Sequence, residues 1–569
     1  MKRILLSLIF LAIFAAQMSA QSIEGKVVDK DGTPLIDAYV FKNNGMLHAH
    51  TNELGIFCES KPGDTLNISY LGYKTKVLVL EQKHFESRTK IVLEEIYFDL
   101  GQIVVSNSVR SLHQVSKIDL LTSPVNSSQE ILRKVPGLFI GQHAGGGKAE
   151  QLFLRGFDID HGTDVSISVD GMPVNMVSHA HGQGYADLHF LIPETVERLD
   201  FGKGPYYTEH GNFTTAGYVD FQTKEKLDNS QFGVEYGQFN TSRLVGLFDL
   251  LGNAENQNAY IATEYLLTDG PFESPQNFNR FNLLGKYTVN LANNDKLSVL
   301  ASHFTSKWDA SGQIPQRAVD AGLISRFGSI DDTEGGTTSR TNFAVNHTKT
   351  IGKDAFVKVL AYFSKYDFEL FSNFTFFLDD PINGDQIRQH EDRQIFGLES
   401  VLHRQYGLDA TDVNLQAGVG LRYDKINDNE LSHTANRKTT LEQMAFGNVN
   451  ESNMYAFANL EFEFGKILLN PGLRVDYFQF DYVNNLVTKY QTLSENKAIA
   501  SPKLNLIYNP SHHWQLYLKT GMGFHSNDTR VVVAQSGKQI LPAAYGADLG
   551  AIWKPIPGSG SILHCGIYS

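Results

Sequence analysis

The stretch that decides the fold runs from residue 131 to residue 224. It contains in order Ile-Leu-Arg-Lys-Val-Pro-Gly-Leu (131–138), Leu-Arg-Gly-Phe (154–157), Val-Asp-Gly-Met-Pro-Val (169–174), Gly-Lys-Gly-Pro (202–205) and Ala-Gly-Tyr-Val-Asp-Phe-Gln-Thr-Lys (216–224). Ser127-Ser-Gln-Glu130 just before it is a capping box that opens a helix, and Pro136-Gly137 ends that helix. Asp170-Gly171 is a typical pair for a tight hairpin turn. The stretch therefore predicts a small α/β domain.

The segment that follows, from about residue 229, alternates between apolar and polar residues. The alternation continues over ten or more residues from Val413 to Tyr423 and from Met454 to Phe464. Such runs are typical of transmembrane β-strands, because lipid requires every backbone group to be paired inside the wall. Short turns at 293–295, 470–472 and 509–511 and long polar connections at 309–340 and 426–452 fit that pattern. The alternative is a large soluble β-solenoid or sandwich, whose strands would be shorter.

The chain before the decisive stretch has three parts. Residues 1–20 have a basic start, a short apolar run and small residues at the end, which predicts a secretory signal peptide rather than a membrane anchor. Residues 21–95 contain short strands at about ten-residue spacing, which suggests a small β-sandwich. Residues 96–121 form a predicted linker.

In their order and spacing the motifs of residues 131–224 resemble the plug domain of TonB-dependent outer-membrane receptors. The segment 21–95, with Gly25-Lys-Val-Val-Asp and Ile68-Ser-Tyr-Leu-Gly-Tyr, resembles the carboxypeptidase-regulatory-like domain that often precedes the plug in receptors of the Bacteroidetes type. The resemblance implies a mainly β chain: a small β-sandwich, an α/β plug over 122–226 and a transmembrane antiparallel β-barrel over 227–569.

The linker carries a candidate TonB box. The apolar, extended run within Asp99–Ser106 looks like such a box, with the residues Gln102, Ile103, Val104, Val105 and Ser106. A box of this kind adds as a strand to the edge of a partner's sheet through backbone hydrogen bonds. The alternative is an ordinary connecting strand. The resemblance implies TonB, acting with ExbB and ExbD, as the partner that pulls on this segment.

The predicted barrel segment is shorter than the resemblance implies. About fourteen strand-like segments can be counted, against the 22 strands of the family's barrel. The end at Leu563–Ser569 lacks the amphipathic last strand with a terminal aromatic residue that family members carry. We expect a truncated, frameshifted or partial product that alone is not a working importer, because free sheet edges in lipid leave backbone groups unpaired.

Two groups of plug residues are candidates for function. Arg155 can form a fork-shaped ion pair, and Gly156 lets backbones approach closely; this pair either packs the plug against the barrel or acts as a gate. The clustered histidines could bind Zn²⁺, Cu²⁺ or a metal chelate, or could only hydrogen-bond loops in the lumen. The plug-motif candidates are Arg155, Gly156, Asp170, Gly171, Lys203, Gly204 and Pro205, and the substrate or metal candidates are His161, His179, His181 and His189.

Several function classes lack support. The net charge of −13 argues against a nucleic-acid partner. Gly145–Lys148 does not fit a phosphate-binding loop, His390-Glu391 does not continue to a zinc-protease motif, and no nucleophile elbow is present. We expect no cofactor and no enzyme activity.

The expected function is TonB-dependent import of a scarce nutrient, such as a siderophore or metal chelate, across the outer membrane, with the N-terminal domain in the periplasm. Alternatives are a zinc or copper receptor, a passive porin-like channel, a signalling receptor and a non-functional product.

Overall fold

A computed structural model describes most of the chain. It covers residues 23–94 except 31, 33, 36–37, 43–47, 53, 60–64, 71–72, 74–75 and 82–88; residues 114–115, 125 and 127–142; and residues 146–568 except 183, 253, 255, 292–294, 352–353, 409–410, 489–490, 512–513 and 554–562. The predicted signal peptide and the candidate TonB box lie outside the described residues. No helix in the described part has the length and apolar character needed to cross a membrane.

The chain divides into two compact units, the first built mainly from Met1–Asn107. Its strands form two sheets, in the orders β4-β1-β7 and β3-β2-β5-β6. Apolar residues of both sheets share one core, which includes Val27, Val40, Phe57, Leu66 and Ile68. The predicted small β-sandwich is therefore present. Its strands are β1 (Ile23–Val28), β2 (Tyr39–Lys42), β3 (His48–His50), β4 (Ile56–Glu59), β5 (Thr65–Ser69), β6 (Lys76–Val79) and β7 (Thr89–Val92).

The plug is the first part of the second unit. Its predicted helix, α1 (Ser128–Ile131), is a single turn capped by the Ser127 hydroxyl, and a 3₁₀ turn over Leu132–Lys134 follows it. A second 3₁₀ turn spans Pro193–Thr195. The strands are β8 (Gln114–Val115), β9 (Leu138–Gly141), β10 (Gln151–Leu154), β11 (Phe157–Asp158), β12 (Val165–Val169), β13 (Met172–Pro173), β14 (Asn175–Val177), β15 (Gly184–Ala186), β16 (Val196–Lys203) and β17 (Gly217–Thr223).

The plug strands form three sheets. The largest has the order β13-β12-β17-β16-β8, and smaller sheets have the orders β11-β10-β9 and β14-β15. In the largest sheet β12 and β17 are parallel, and β16 is antiparallel to β17. Ile131, Ile167, Leu199 and Val219 belong to the apolar cluster that joins the helix to this sheet. The α/β character predicted for this segment is therefore present.

The strands after the plug form a single sheet of fifteen strands in sequence order, here called the wall. Two short helices lie in its long connections, α2 (Gln316–Asp320) and α3 (Thr529–Ala534). The strands are β18 (Gln231–Tyr236), β19 (Ser242–Asp249), β20 (Gln257–Thr268), β21 (Phe278–Asn290), β22 (Lys296–Ala310), β23 (Glu334–Thr350), β24 (Ala355–Ser372), β25 (Ile387–Leu408), β26 (Thr411–Ala435), β27 (Thr439–Phe464), β28 (Ile467–Asn484), β29 (Thr492–Ser511), β30 (Trp514–Phe524), β31 (Ala543–Trp553) and β32 (Leu563–Tyr568).

Three details of the wall differ from the sequence-based prediction. The polar segment 426–452 is not a loop: β26 and β27 run through it and leave only residues 436–438 as the turn. The run 470–472 lies inside β28, where the pairing with β27 skips Asn470 and Pro471. Residues 509–511 belong to β29. Polar residues and Pro471 wrongly predicted turns here. These strands can contain both, because their backbones pair with the neighbouring strands.

The two faces of the wall differ in chemistry. One face contacts the plug, and its apolar clusters contain plug residues such as Met172, Met176 and Tyr185. The other face is rich in exposed apolar side chains, among them Leu283, Phe343, Phe396, Leu421, Leu473, Val475, Leu504 and Leu516. This alternation accounts for the period of two in the sequence.

Candidate functional site: the plug–wall contacts

The Asp170-Gly171 turn joins the plug to the wall. Both residues have positive φ, 49° and 84°, in the hairpin between β12 and β13. The Asp170 carboxylate accepts hydrogen bonds from Thr223 N, at 3.0 Å, and from Lys286 Nζ of β21, at 3.1 Å. A Cβ atom added at Gly171 would lie 2.7 Å from Leu360 Cδ2. The turn therefore needs glycine both for its φ angle and for its close approach to the wall.

Arg155 forms a two-pronged ion pair with the wall. Its Nη1 and Nη2 atoms lie 3.0 and 2.6 Å from the two carboxylate oxygens of Asp548 on β31. The Tyr206 hydroxyl donates to the same carboxylate at 2.8 Å. Burial works against the guanidinium charge, but the hydrogen bond and charge of Asp548 raise the pKa of Arg155 above its ordinary value. Gly156, with a φ of 82°, completes the turn after Arg155.

The motif Lys203-Gly204-Pro205 also lies at this contact. Lys203 Nζ donates to the Pro136 carbonyl at 3.0 Å, within the plug. A Cβ atom at Gly204 would lie 2.3 Å from the Tyr206 ring, and the φ of Gly204 is 81°. The Pro205 carbonyl accepts from Lys503 Nζ of β29 at 2.9 Å. These residues shape the turn that presents Tyr206 to the wall.

Three of the four candidate histidines lie close together. The rings of His161 and His181 are 4.9 Å apart between centroids. His179 is fully buried, stacks on Tyr185 at 4.4 Å and meets the edge of Phe368 at 4.5 Å. These contacts are those of aromatic side chains packed between plug and wall.

His189 lies in a different environment. Its Nδ1 atom is 2.6 Å from Asp187 Oδ1 and 3.0 Å from Gln129 Nε2. Within the described ranges, no group of three or more His, Cys, Asp or Glu side chains is arranged to hold a metal ion. The structure therefore brings three candidate histidines together without forming a metal-ligand set from described residues.

The plug segment from Ser178 to His181 is enclosed by polar groups, and we call these contacts the apex cage. Ser178 Oγ donates to Glu451 Oε2 at 2.8 Å, and Ala180 N donates to Glu391 Oε2 at 2.8 Å. His181 Nδ1 lies 3.0 Å from Gln389 Oε1. The wall thus contacts consecutive plug residues through side chains of β25 and β27.

The long connection 525–542 completes the apex cage. Arg530 in α3 donates to the His179 carbonyl at 2.9 Å and to Asn429 Oδ1 at 2.6 Å. Thr529 N donates to Ser178 Oγ at 2.9 Å. Val532 and Val533 belong to apolar clusters with wall residues. A connection at the end of the wall is therefore bonded directly to the plug.

The charges in the apex cage form a buried network. Arg393 lies 2.7 Å from Glu391 and 2.9 Å from Asp424, and all three side chains are buried. His179 Nε2 is 3.7 Å from Glu391 Oε1. Burial first, and then the positive charge of Arg393, lower the pKa of His179 well below its ordinary value. His179 is therefore neutral at pH 7.

Strand β8 falls within the predicted linker 96–121, yet it joins the largest sheet of the plug. Strand β8 begins eight positions beyond Ser106, which lies outside the described residues. It is the edge strand of its sheet, and among the described residues two pairs join it to β16, Leu199 with Val115 and Asp200 with Gln114.

The residues of the wall that make these contacts with the plug were not identified from the sequence. Gln389, Glu391 and Arg393 occupy alternate positions, so they face the plug together. The run of polar and charged residues at alternate positions is a usable signal of a shared face, which an enzyme reading of His390-Glu391 does not use. Asp548 and Arg530 could not be found, because nothing local links them to residues about 350 or more positions away.

Comparison with known families agrees with this geometry. Residues 290–537 match the model of the TonB dependent receptor-like beta-barrel, residues 104–218 match the TonB-dependent receptor plug domain, and residues 23–105 match the CarboxypepD_reg-like domain. The three models follow one another in the order that the motifs predicted.

Solved structures share the fold at low sequence identity. The unliganded ferric citrate transporter FecA has a TM-score of 0.66 at 14% identity, with 78% of this chain and 67% of that chain covered. The ferric-catecholate import receptor Fiu from E. coli K12, in its closed form, has a TM-score of 0.63 at 14% identity, covering 82% and 73%. The siderophore receptor PiuA from Acinetobacter baumannii has a TM-score of 0.62 at 14% identity, covering 83% and 75%.

The fold and the family models define a plugged, energy-coupled receptor of the outer membrane. The chain belongs to the TonB-dependent receptor family, with an N-terminal CarboxypepD_reg-like domain. The family resemblance and its implied location in the outer membrane are confirmed. At the level of the family, the function is nutrient import across that membrane and not catalysis.

Proposed function

We propose that this receptor imports a metal chelate, of the ferric siderophore kind, by using force delivered through TonB with ExbB and ExbD. The observation that carries the proposal is the apex cage: the plug is fastened to the wall by buried polar bonds at Ser178–His181. Polar bonds are directional, so a ligand that re-orders one of them changes the others. The names of FecA, Fiu and PiuA, which refer to ferric citrate, ferric catecholate and siderophore, support the chelate class.

The candidate TonB box Gln102–Ser106 is proposed as the point where force enters. An extended apolar segment can pair with the edge of a partner's sheet. The position of β8 at the edge of the plug sheet supports a sequence of events in which the pull first detaches this strand from β16. The N-terminal domain is proposed to lie in the periplasm, on the side of TonB.

A bare zinc or copper ion is the less favoured cargo. His161, His179 and His181 are close, but the described residues hold no three-ligand group. A chelate brings its own metal ligands and needs only a shaped, polar surface from the receptor. A passive channel is disfavoured because the plug-domain model matches residues 104–218.

The test is uptake of radiolabelled ferric citrate, a ferric catecholate, ⁶⁵Zn²⁺ and ⁶⁴Cu²⁺ by cells that express the receptor, with and without TonB. Val104→Pro removes a backbone donor from the box, whereas the matched control Val104→Thr keeps a good strand residue. We expect uptake of a ferric chelate that requires TonB and is lost only in the proline variant. Equal uptake without TonB, or by the proline variant, would contradict the mechanism; uptake of zinc or copper alone would contradict the cargo.

A further inference from the structure

A cleft of about 450 Å³ lies on the face of the wall that points away from the plug. The face follows from alternation: Phe304 and Trp308 of β22 pack in clusters with plug residues, so Lys307 between them points outward. Tyr366 and Phe368 of β24 contact His179, so Glu369 points outward as well. Lys307 and Glu369 both line the cleft. It is therefore separate from the interior route of import.

The turn between β26 and β27 closes this cleft from one side. Arg437 in that turn lies 2.8 Å from Asp309 at the end of β22, and its guanidinium lies 5.9 Å from the centre of the Phe371 ring. It also donates to the carbonyls of Thr333 and Glu334. These bonds fix the turn across the ends of β22, β23 and β24. The shape of the cleft is thus held by bonds within the wall.

The lining favours an anion that also carries hydrogen-bonding groups. Arg388 is already held by Glu369 at 2.8 Å and by Glu430 at 2.7 Å. Lys307 and Lys438, by contrast, have no ion pair with any residue that the structure describes. Lysine is a common phosphate ligand. Around these two lysines the cleft is lined by the hydroxyl-bearing residues Thr337, Thr434, Thr439 and Thr440.

The position of the cleft along the strands shows which layer of the outer membrane lies beside it. Phe343, Phe363 and Phe396 are direct cross-strand partners on the outward face, and such aromatic rows mark the membrane interface. Glu369 lies six residues beyond Phe363, or about 20 Å along the strand and about 15 Å above the interface after allowing for strand tilt. The long connections 311–333, 373–386 and 525–542 lie at this end of the wall, which makes it the external end. Sugar headgroups of outer-leaflet glycolipids occupy this layer.

We propose that the cleft binds a phosphorylated sugar of an outer-leaflet glycolipid, with Lys307 and Lys438 contacting the phosphate. The threonine hydroxyls contact the sugar hydroxyls, and Arg388 and Arg437 hold the lining in place. The inference depends on the location in the outer membrane and not on the identity of the imported nutrient. It gives the receptor a lipid contact on its outer wall, at the end of the wall where the long connections lie.

The test compares the wild-type receptor with the double variant Lys307→Gln, Lys438→Gln, each extracted from outer membranes in mild detergent. Native mass spectrometry counts bound lipopolysaccharide. We expect about tenfold lower occupancy in the double variant, the loss that corresponds to about 1.4 kcal/mol of phosphate contacts. Lys349→Gln is the matched control, since this exposed lysine lies at the opposite end of β23; its occupancy should equal that of the wild type.

Two further arms identify the source of the phosphate. Delipidated receptor is titrated with intact lipopolysaccharide, with phosphatase-treated lipopolysaccharide and with inorganic phosphate. We expect binding of the intact lipid only. Unchanged occupancy in the double variant, equal binding of the dephosphorylated lipid, or saturation by inorganic phosphate without lipid binding would each overturn the proposal. An unchanged midpoint of plug proteolysis in the double variant shows that it is folded.

Discussion

The apex cage and strand β8 are held in opposite ways. At the apex, residues Ser178–His181 are bonded to β25, to β27 and to α3, and His179 is fully buried. In the part of the chain that the structure describes, strand β8 is attached by two residue pairs at a sheet edge. Among the described residues, the plug is therefore bonded at many points at its apex, to β25, β27 and α3, and by two strand pairs at β8. We propose that a force from the linker acts first on β8, because sheet edges open locally before packed regions do.

The largest effect should come from breaking the charge network at the apex. Glu391→Ala leaves Arg393 buried without its nearest partner, and losing one member of such a pair costs about 3–5 kcal/mol. We expect the plug to become protease-sensitive and chelate binding to fall. Glu391→Gln is the control, because it keeps an acceptor for Ala180 N and should cost less. If Glu391→Ala and the wild type were equally stable in denaturant-dependent proteolysis, the apex cage would not be what holds the plug firmly.

A smaller effect is expected at Arg155, because it forms an ion pair with one carboxylate, Asp548, and is partly accessible to solvent. Arg155→Ala should lower plug stability by about 2–3 kcal/mol, as for a hydrogen bond between charged groups. A double-mutant cycle with Asp548→Ala checks the assignment, since the second substitution should add little once the first has been made. Additive losses in the two single variants would mean that the pair does not act as a unit.

Gly171 offers a test of another contact between plug and wall, the Asp170-Gly171 turn against β21 and β24. Gly171→Ala places a methyl group 2.7 Å from Leu360 Cδ2 at a φ of 84°, and should cost about 1–2 kcal/mol. Gly285→Ala is the matched control, since nothing lies within 4 Å of its added Cβ and its φ is ordinary. Both are measured as shifts in the midpoint of plug proteolysis. A loss as large for Gly285→Ala would show that the effect is not specific to the turn.

The smallest effect concerns pH. His179 is neutral in the folded receptor because its pKa is lowered, whereas the unfolded chain takes up a proton below about pH 6.5. Stability is therefore fully present above pH 6.5 and falls as the pH drops below it, by about 1 kcal/mol between pH 7.5 and 5.5. His179→Phe keeps the stacking on Tyr185 and should flatten this dependence. The same slope in both proteins would exclude His179 as its source.

Much of the fold could be read from the sequence because its signals are local. The Asp170-Gly171 turn, the Ser127 cap and the alternation from Val413 to Tyr423 each report on neighbours in the chain. Composition failed over 426–452, where strands continue with polar residues beyond the apolar band. Fifteen strands are present in the described wall, against about fourteen counted from the sequence.

The candidate site was only half predictable. Arg155 and the apical histidines stand in recognisable motifs, but their partners Asp548, Glu391 and Arg530 come from distant strands and a long connection. Pairing across such separations depends on the register of the whole wall, which no local pattern encodes. The assignment of histidines to a metal site stays a prediction, and packing accounts for the contacts that the structure shows.

The central claim is that β8 must leave the edge of the plug sheet during uptake. Uptake by a receptor in which a disulfide locks β8 to β16 tests it most directly. Gln114→Cys and Asp200→Cys replace directly paired residues, with Cys58 and Cys565 changed to serine in all variants. The oxidised lock should bind a ferric chelate as well as the wild type does, yet take it up no faster than cells without TonB, and a reductant should restore uptake. Undiminished uptake by the oxidised receptor would contradict the account, because β8 would then not need to leave its edge.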